Sequence, residues 1–236
     1  MSVYRTQLRL RNKDVNLYRR LRTSALFELL QEASIRHTEE LGAGRALTLD
    51  RGFLWMVTMQ RAEIARMPEY DELITVESWP GETMHLLFPR YYRILDEQGV
   101  PLLSASAIWT LVDAGTRRVI FPDMYGISIE GEVTGHEIAL PTPLKKAAGE
   151  TSARFKVPYS FLDLNGHMNN TRYFDLAEDH IPAPAEGRAL REIATEYAGE
   201  ARLGAEIALT VEAGEDSFLV SGDTDKKIFR MSLRYE

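Results

Sequence analysis

The chain has 236 residues, enough for one large domain or two small ones with a proper core. Its 28 Lys and Arg against 35 Asp and Glu leave a formal charge of −7, the wrong sign for a general nucleic-acid binder, so an acidic partner must be met by a local basic patch. Cysteine is absent, which excludes disulfides, thiolate metal sites and cysteine nucleophiles together.

Tyr4, Gln7, Leu8, Arg9 and Leu10 read as a strand, followed by Asp14-Val-Asn16. A helix is then predicted over 22–40, with Leu26, Leu29, Leu30, Ala33 and His37 at helical spacing, Thr23 or Ser24 as its cap and Gly42 as its stop. Strands are predicted over 53–65, 72–79, 86–95 and 102–112, the last two joined by a hairpin turn at Gln98-Gly99. The Pro- and Gly-containing stretch within 113–152 reads as a linker. Beyond it the pattern returns: Arg154-Phe-Lys-Val157 as a strand, Asp163-Leu-Asn165, and a helix over 170–180 with the stripe Tyr173, Leu176, Ala177 and His180 and a cap at Asn169 or Asn170. Strands over 189–198, 205–213, 217–221 and 227–234 complete it.

Residues 21–32 lie over 168–179 with Phe27 against Phe174 and Leu29 against Leu176, while the two Asp-x-Asn triplets match only with a two-residue gap. An internal duplication follows, each copy an antiparallel sheet with one long helix packed on it, in the α+β class. The longest uncharged stretch, 98–112, is too short and too polar for a membrane span of about 20 residues, and the first seven residues lack an apolar signal core. The expectation is a cytoplasmic protein without a membrane span.

The densest polar motif is Asp163-Leu-Asn165-Gly166-His167-Met-Asn169-Asn170, placed before a helix. If the segment is extended, Asp163, Asn165 and His167 project to one side, joining a carboxylate, an amide and an imidazole. The backbone N–H groups of Gly166, Asn169 and Asn170 are the candidate donors for an oxyanion, and the set suits hydrolysis of an acyl group. In the first half Tyr18 stands where a gap-free overlay of the triplets puts the counterpart of His167, so one half reads as chemical and the other as scaffold.

These motifs resemble the acyl-acyl-carrier-protein thioesterases of the plant FatA and FatB type and their bacterial relatives. The resemblance rests on Leu29-Leu-Gln-Glu-Ala33 with His37, Trp55-Met-Val-Thr58, Ile108-Trp-Thr-Leu-Val-Asp113 with Thr116-Arg-Arg118, the run from Asp163 to Tyr173, and Glu196-Tyr-Ala-Gly-Glu200-Ala201. It implies a tandem, or double, hotdog fold: an acyl-chain half over 1–125, a linker over 126–152 and a catalytic half over 153–236. It implies hydrolysis of fatty acyl-acyl-carrier-protein to fatty acid and holo-carrier, ending fatty acid synthesis, with Asp163, Asn165, His167 and Glu200 catalytic. Leu26, Leu30, Phe53 and Trp55 become candidates for contact with the acyl chain. Where the family carries a cysteine this chain has Ala201, so a covalent thioester intermediate on cysteine is impossible.

Glu200 as base for water, with Asp163 and His167 orienting it, is the preferred mechanism; Asp163 as nucleophile is the other. Acyl-CoA hydrolysis and non-catalytic acyl binding are the alternative functions. No metal or cofactor is expected: the five His are scattered, and no phosphate-cradling Gly loop is present. Arg19-Arg20-Leu21-Arg22, Arg117-Arg118 and Lys145-Lys146 are short basic clusters able to meet an acidic carrier protein. The lack of an N-terminal extension suggests a bacterial protein, and a homodimer is compatible with the sequence.

Overall fold

The structure, a computed structural model, describes residues 3–236; residues 1 and 2, where the first expected unit starts, lie outside the described residues. The first half comprises β1 (Tyr4–Arg9), α1 (Thr23–Glu40), β2 (Phe53–Ile64), β3 (Leu73–Pro80), β4 (Phe88–Leu95) and β5 (Pro101–Asp113). The second comprises β6 (Ala153–Lys156), α2 (Arg172–Glu178), β7 (Leu190–Tyr197), β8 (Glu206–Ala213), β9 (Ser217–Asp223) and β10 (Lys227–Tyr235). All the strands join one antiparallel sheet in the order β1-β3-β4-β5-β2-β7-β10-β9-β8-β6. This is a strand order followed by its own mirror image, the two copies meeting at β2 and β7. The strand, helix, four-strand unit expected from the sequence therefore occurs twice, as a tandem hotdog fold.

The sheet forms because its strands alternate. Along β3, Ile74 and Val76 are buried while Leu73 and Thr75 are partly exposed, so one face meets the helices. α1 buries Leu26, Phe27, Leu30, Ala33 and His37. The two helices touch through Phe27 and Phe174, both buried and stacked at 4.2 Å between ring centroids with 9° between planes. One continuous core cluster runs from Leu26 and Leu30 in the first half to Ile193 and Phe229 in the second.

At the junction β2 and β7 pair from Met59↔Glu196 to Glu63↔Glu192. The last pair sets two carboxylates opposite each other, an arrangement that repels. Arg61 relieves it, with Nη2 2.5 Å from Glu63 Oε1 and 2.9 Å from Glu192 Oε1. A bulge between Val57 and Met59 marks the end of this pairing, and the rest of β2 continues against β5 alone.

Two local expectations are corrected. Thr23 is the first residue of α1 and makes no cap hydrogen bond; its hydroxyl donates to Glu178 Oε1 at 2.7 Å. The second helix is not long. It occupies only Arg172–Glu178, because the chain before it is a turn in which Asn169 Oδ1 accepts from the Thr171 N–H and hydroxyl, and Pro182 and Pro184 follow it. The segment between β5 and β6 crosses the sheet, with the N–H groups of Leu144, Ala147 and Ala148 donating to Glu196 (β7), Ser221 (β9) and Glu212 (β8). No helix among the described residues is long and apolar enough to cross a membrane.

Truncating the stacked ring, Phe174→Ala, is expected to lower stability by about 3–5 kcal/mol, read as a fall in the urea midpoint. A smaller change than Phe218→Ala, which removes a ring near the sheet's far end, would show that the helix contact is not the seam of the core.

Candidate active site

The Asp163 motif is not extended. Leu162 and Met168 bridge as the ends of a tight hairpin, the Asp163 N–H donates to the His167 carbonyl at 2.8 Å, and Gly166 sits at φ 76°, a conformation that favours glycine. The carboxylate of Asp163 closes the turn, its Oδ1 accepting from the backbone N–H of Asn165 at 2.8 Å and of His167 at 3.4 Å. Asn165 is exposed at the tip, and His167 turns inward and is buried. The period-two expectation fails because Asp, Asn and Gly in sequence satisfy one another as a turn before they can line a strand face.

Glu200 reaches His167 from the other side. β7 ends at Tyr197, and the N–H groups of Ala198 and Gly199 both donate to the Ile228 carbonyl as the chain peels away. Gly199 is required there, since a Cβ would lie 2.7 Å from the Lys227 carbonyl oxygen. The next strand of backbone returns beside the hairpin, with the Met168 N–H on the Ala201 carbonyl and a bridge between His167 and Arg202. His167 Nε2 is consequently 3.1 Å from Glu200 Oε2. Arg117 Nε lies 3.6 Å from the other oxygen, Oε1, and comes from the first half, on a turn that Asp113 holds through the N–H groups of Gly115 and Thr116. In the sequence Arg117 stands in a basic cluster and in the Thr116-Arg-Arg118 motif without a role at the site; the signal for its role is the Asp-x-x-Thr turn that aims it.

Glu200 and Arg117 line a cleft of about 820 Å³ with Met56, Val112, Arg202 and Lys226. Beneath it lies the buried phenol of Tyr173, whose pKa is raised first by burial and then by the charges of Glu200 and Asp163. The expected backbone donors are largely taken: the Gly166 N–H goes to the Asp163 carbonyl and the Asn169 N–H to the Phe161 carbonyl. Asn170 instead presents a side chain whose Nδ2 is buried without a hydrogen-bond partner, and Gln31 Oε1 on α1 is in the same condition.

The first half repeats the hairpin without a gap. Val15 bridges Leu21, the Asn16 N–H donates to the Arg20 carbonyl at 2.8 Å, and Asn16 Oδ1 accepts from the N–H groups of Tyr18 and Arg20. Arg19 takes the left-handed place of Gly166, at φ 63°. The Leu21 N–H donates to the Pro68 carbonyl as the Met168 N–H does to Ala201. Asn16 is thus the counterpart of Asp163, Arg20 of His167 and Met67 of Glu200, which corrects the gapped match of the two triplets. Tyr18 answers to Asn165 and donates to the Ala185 carbonyl at 2.6 Å. A cleft of about 870 Å³ survives there, lined by Asn16, Tyr18, Arg20, Met67 and Glu178.

Of the four candidate acyl-chain contacts, Leu26 and Leu30 lie in the main core, with none of their surface facing a cavity, and Phe53 packs with Ala43, Leu111 and Ile127. Trp55 is partly exposed, edge-on to Phe88 at 4.8 Å, and lines a cavity of about 170 Å³ in the first half.

Two family models match the chain: the acyl-ACP thioesterase N-terminal domain over residues 1–125 and the acyl-ACP thioesterase C-terminal domain over residues 144–234. The chain belongs to the acyl-ACP thioesterase family. It is 24% identical to the acyl-[acyl-carrier-protein] hydrolase FATB3 of Cuphea viscosissima, over 99% of this chain and 59% of the relative. It is 24% identical to the dodecanoyl-[acyl-carrier-protein] hydrolase of Cinnamomum camphora, over 91% of this chain and 61% of that one, so it spans about six-tenths of these relatives' length. Among solved structures, an acyl-ACP thioesterase from Bacteroides thetaiotaomicron superposes with TM-score 0.89 at 22% identity, covering 99% of this chain and 98% of the other. The 12:0-ACP thioesterase of Umbellularia californica gives TM-score 0.81 at 20% identity, covering 99% and 97%.

Because the first-half hairpin closes on an asparagine, Asp163→Asn should keep the turn and melt within about 0.5 kcal/mol of the wild type, whereas Asp163→Ala should lose roughly 1 kcal/mol. Equal losses in thermal unfolding would refute a turn-closing role. In the second cleft, burial raises the pKa of Glu178 to about 6 from the ordinary 4.5, against the hydroxyls of Thr23 and Tyr235, which hydrogen-bond its carboxylate. Between those values the folded chain binds more protons than the unfolded one, so this group's contribution to stability falls as pH rises from about 4.5 to 6, by on the order of 1–2 kcal/mol. Glu178→Gln should remove that slope, which chemical denaturation across the pH series would reveal.

Proposed function

We propose that this protein hydrolyses the thioester of fatty acyl-acyl-carrier-protein, releasing fatty acid and holo-carrier. The observation that carries the reading is the His167–Glu200 contact at 3.1 Å, at the family's motif positions, with Glu200 lining a cleft formed where the two halves meet. Glu200 acts as general base, held at one oxygen by His167 and at the other by Arg117. Water gives a proton to Glu200 as its oxygen attacks the thioester carbon. The tetrahedral oxyanion is met by the Asn170 side-chain N–H, the buried donor left without a protein partner. Collapse breaks the C–S bond and the departing sulfur takes the proton back through Glu200. Asp163 shapes the hairpin that delivers His167, and Asn165, exposed at its tip, contacts the incoming substrate.

A carboxylate base supports this route over attack by Asp163, whose Oδ1 already holds two backbone N–H groups. The acyl chain passes into the first half beside Trp55, against Phe88 and Trp109, while Leu26, Leu30 and Phe53 serve the core. Arg117, Arg202 and Lys226 at the cleft offer cations to an acidic carrier protein or to the phosphate of its pantetheine arm.

Thiol release from matched acyl-carrier-protein and acyl-CoA substrates tests the reading. Rapid release from the carrier protein is expected, and Glu200→Gln should lower kcat by about 10²–10⁴-fold with the fold intact. Preference for CoA would move the protein to the other thioesterase class. Tight binding with no release from either donor would make the site a binder.

A further inference from the structure

The apolar cavity beside Trp55 contains a charge. It is walled by Ile35, Trp55, Phe88, Trp109 and Ile129, and Arg90 of β4 lines it while being only 5% exposed. The guanidinium is held by hydroxyl, carbonyl and imidazole groups: Nε donates to Ser78 Oγ at 3.3 Å, Nη1 to the Ser34 carbonyl and to Thr38 Oγ1 at 3.3 Å each, and Nη2 meets His37 Nδ1 at 2.9 Å. These use four of its five N–H groups.

The other buried charges of the chain are treated differently. Glu77 has Arg5 at 2.7 Å and Arg93 at 2.6 Å, and Arg230 has Asp223 at 2.7 Å. Among the described residues Arg90 has no carboxylate within ion-pair distance. Burial pushes its pKa down, yet an arginine does not shed its proton as a buried lysine does, so the cost of the enclosed cation stays in the folded protein. Glu39 and Arg45 also line the cavity, but Glu39 is exposed and its Oε1 accepts from the Arg45 N–H at 2.7 Å.

We propose that this cavity binds an aliphatic chain ending in a carboxylate, with the carboxylate on Arg90 and the chain against Trp55, Phe88 and Trp109. The carboxylate supplies the counter-charge the fold omits, and the aromatic walls exclude the water that would otherwise weaken the pair. Two sources share this chemistry: a free fatty acid, and an acyl chain carboxylated at its far end. The second source rests on the thioesterase reading; the binding itself does not.

Two of the chain's three tryptophans line the cavity, so intrinsic fluorescence reports its occupancy. Octanoate and octanol, equal in length and different in charge, are titrated into the wild type and into R90M, with thermal melts as the folding control. The wild type should bind octanoate roughly tenfold or more tighter than octanol, and R90M should lose that preference while still taking the alcohol. Equal affinity of the wild type for both, binding of neither, or a preference retained in R90M would overturn the proposal; the wild-type comparison decides even if R90M does not fold. The N-acetylcysteamine thioester of octanoic acid and the N-acetylcysteamine monothioester of octanedioic acid, whose far carboxylate is free, then separate the sources. A higher kcat/KM for the diacid, lost in R90M, identifies a carboxylated substrate chain, whereas octanoate binding without that discrimination identifies the free acid. Failure of the thioesterase reading would appear as no thiol release from either thioester, with the fluorescence result unaffected.

Discussion

The pairing of β2 with β7 is the constraint on which the molecule depends. It turns two half-sheets into one, closes the core from Leu26 to Phe229 and sets the two hairpins on opposite sides of a single seam. Its extent also matters, because the pairing stops at Met59 and Glu196 and the strands then diverge. A cleft opens where backbone hydrogen bonding ceases, and Glu200 stands on the first stretch of chain that has left the sheet. Arg61, shared by Glu63 and Glu192, permits two carboxylates to face each other at the far end of the same ladder.

The seam relates two hairpins of the same backbone geometry and different chemistry. Asp163 and Asn16 close their turns through the same oxygen, and Gly166 and Arg19 adopt the same left-handed conformation. Glu200 lines one cleft with His167 buried behind it at 3.1 Å, while Arg20 and Met67, their counterparts, line the other. In a dimer of identical single units every change would strike both sites at once. A tandem chain lifts that restriction, and one half carries an imidazole and a carboxylate where the other carries a guanidinium and a thioether.

Much of this was legible in the sequence. The strand, helix, four-strand order could be read twice because β-alternation and helical spacing are local, and Phe27 and Phe174, matched in the overlay, are stacked against each other in the core. What the sequence concealed was set by contacts between distant segments. The shortness of α2 follows from an Asn169 turn and two prolines that outweigh the spacing of Tyr173, Leu176 and His180. The extended reading of Asp163 to His167 failed because alternation was assumed where turn chemistry governs. The gapped alignment of the triplets failed for a related reason: matching Asp14 to Asp163 followed residue identity, whereas the fold matches Asn16 to Asp163 by hydrogen bonding. The Asp113 turn that carries Arg117 is local, but its partner Glu200 is not, and Arg90 inside an apolar cavity draws its meaning from Ser34, His37 and Thr38, also distant in the chain.

The segment joining the halves has a further physical consequence. Its backbone N–H groups at Leu144, Ala147 and Ala148 are held by side chains of Glu196, Ser221 and Glu212. Over 144–148 it therefore lies on the sheet held by side chains, without being woven into a ladder. A protease cut within it would leave the halves joined by non-covalent contacts, among them the β2–β7 ladder, the helix contact and the Arg117–Glu200 and Thr23–Glu178 pairs. The single chain would then become a heterodimer, and its integrity, until then independent of concentration, would follow mass action.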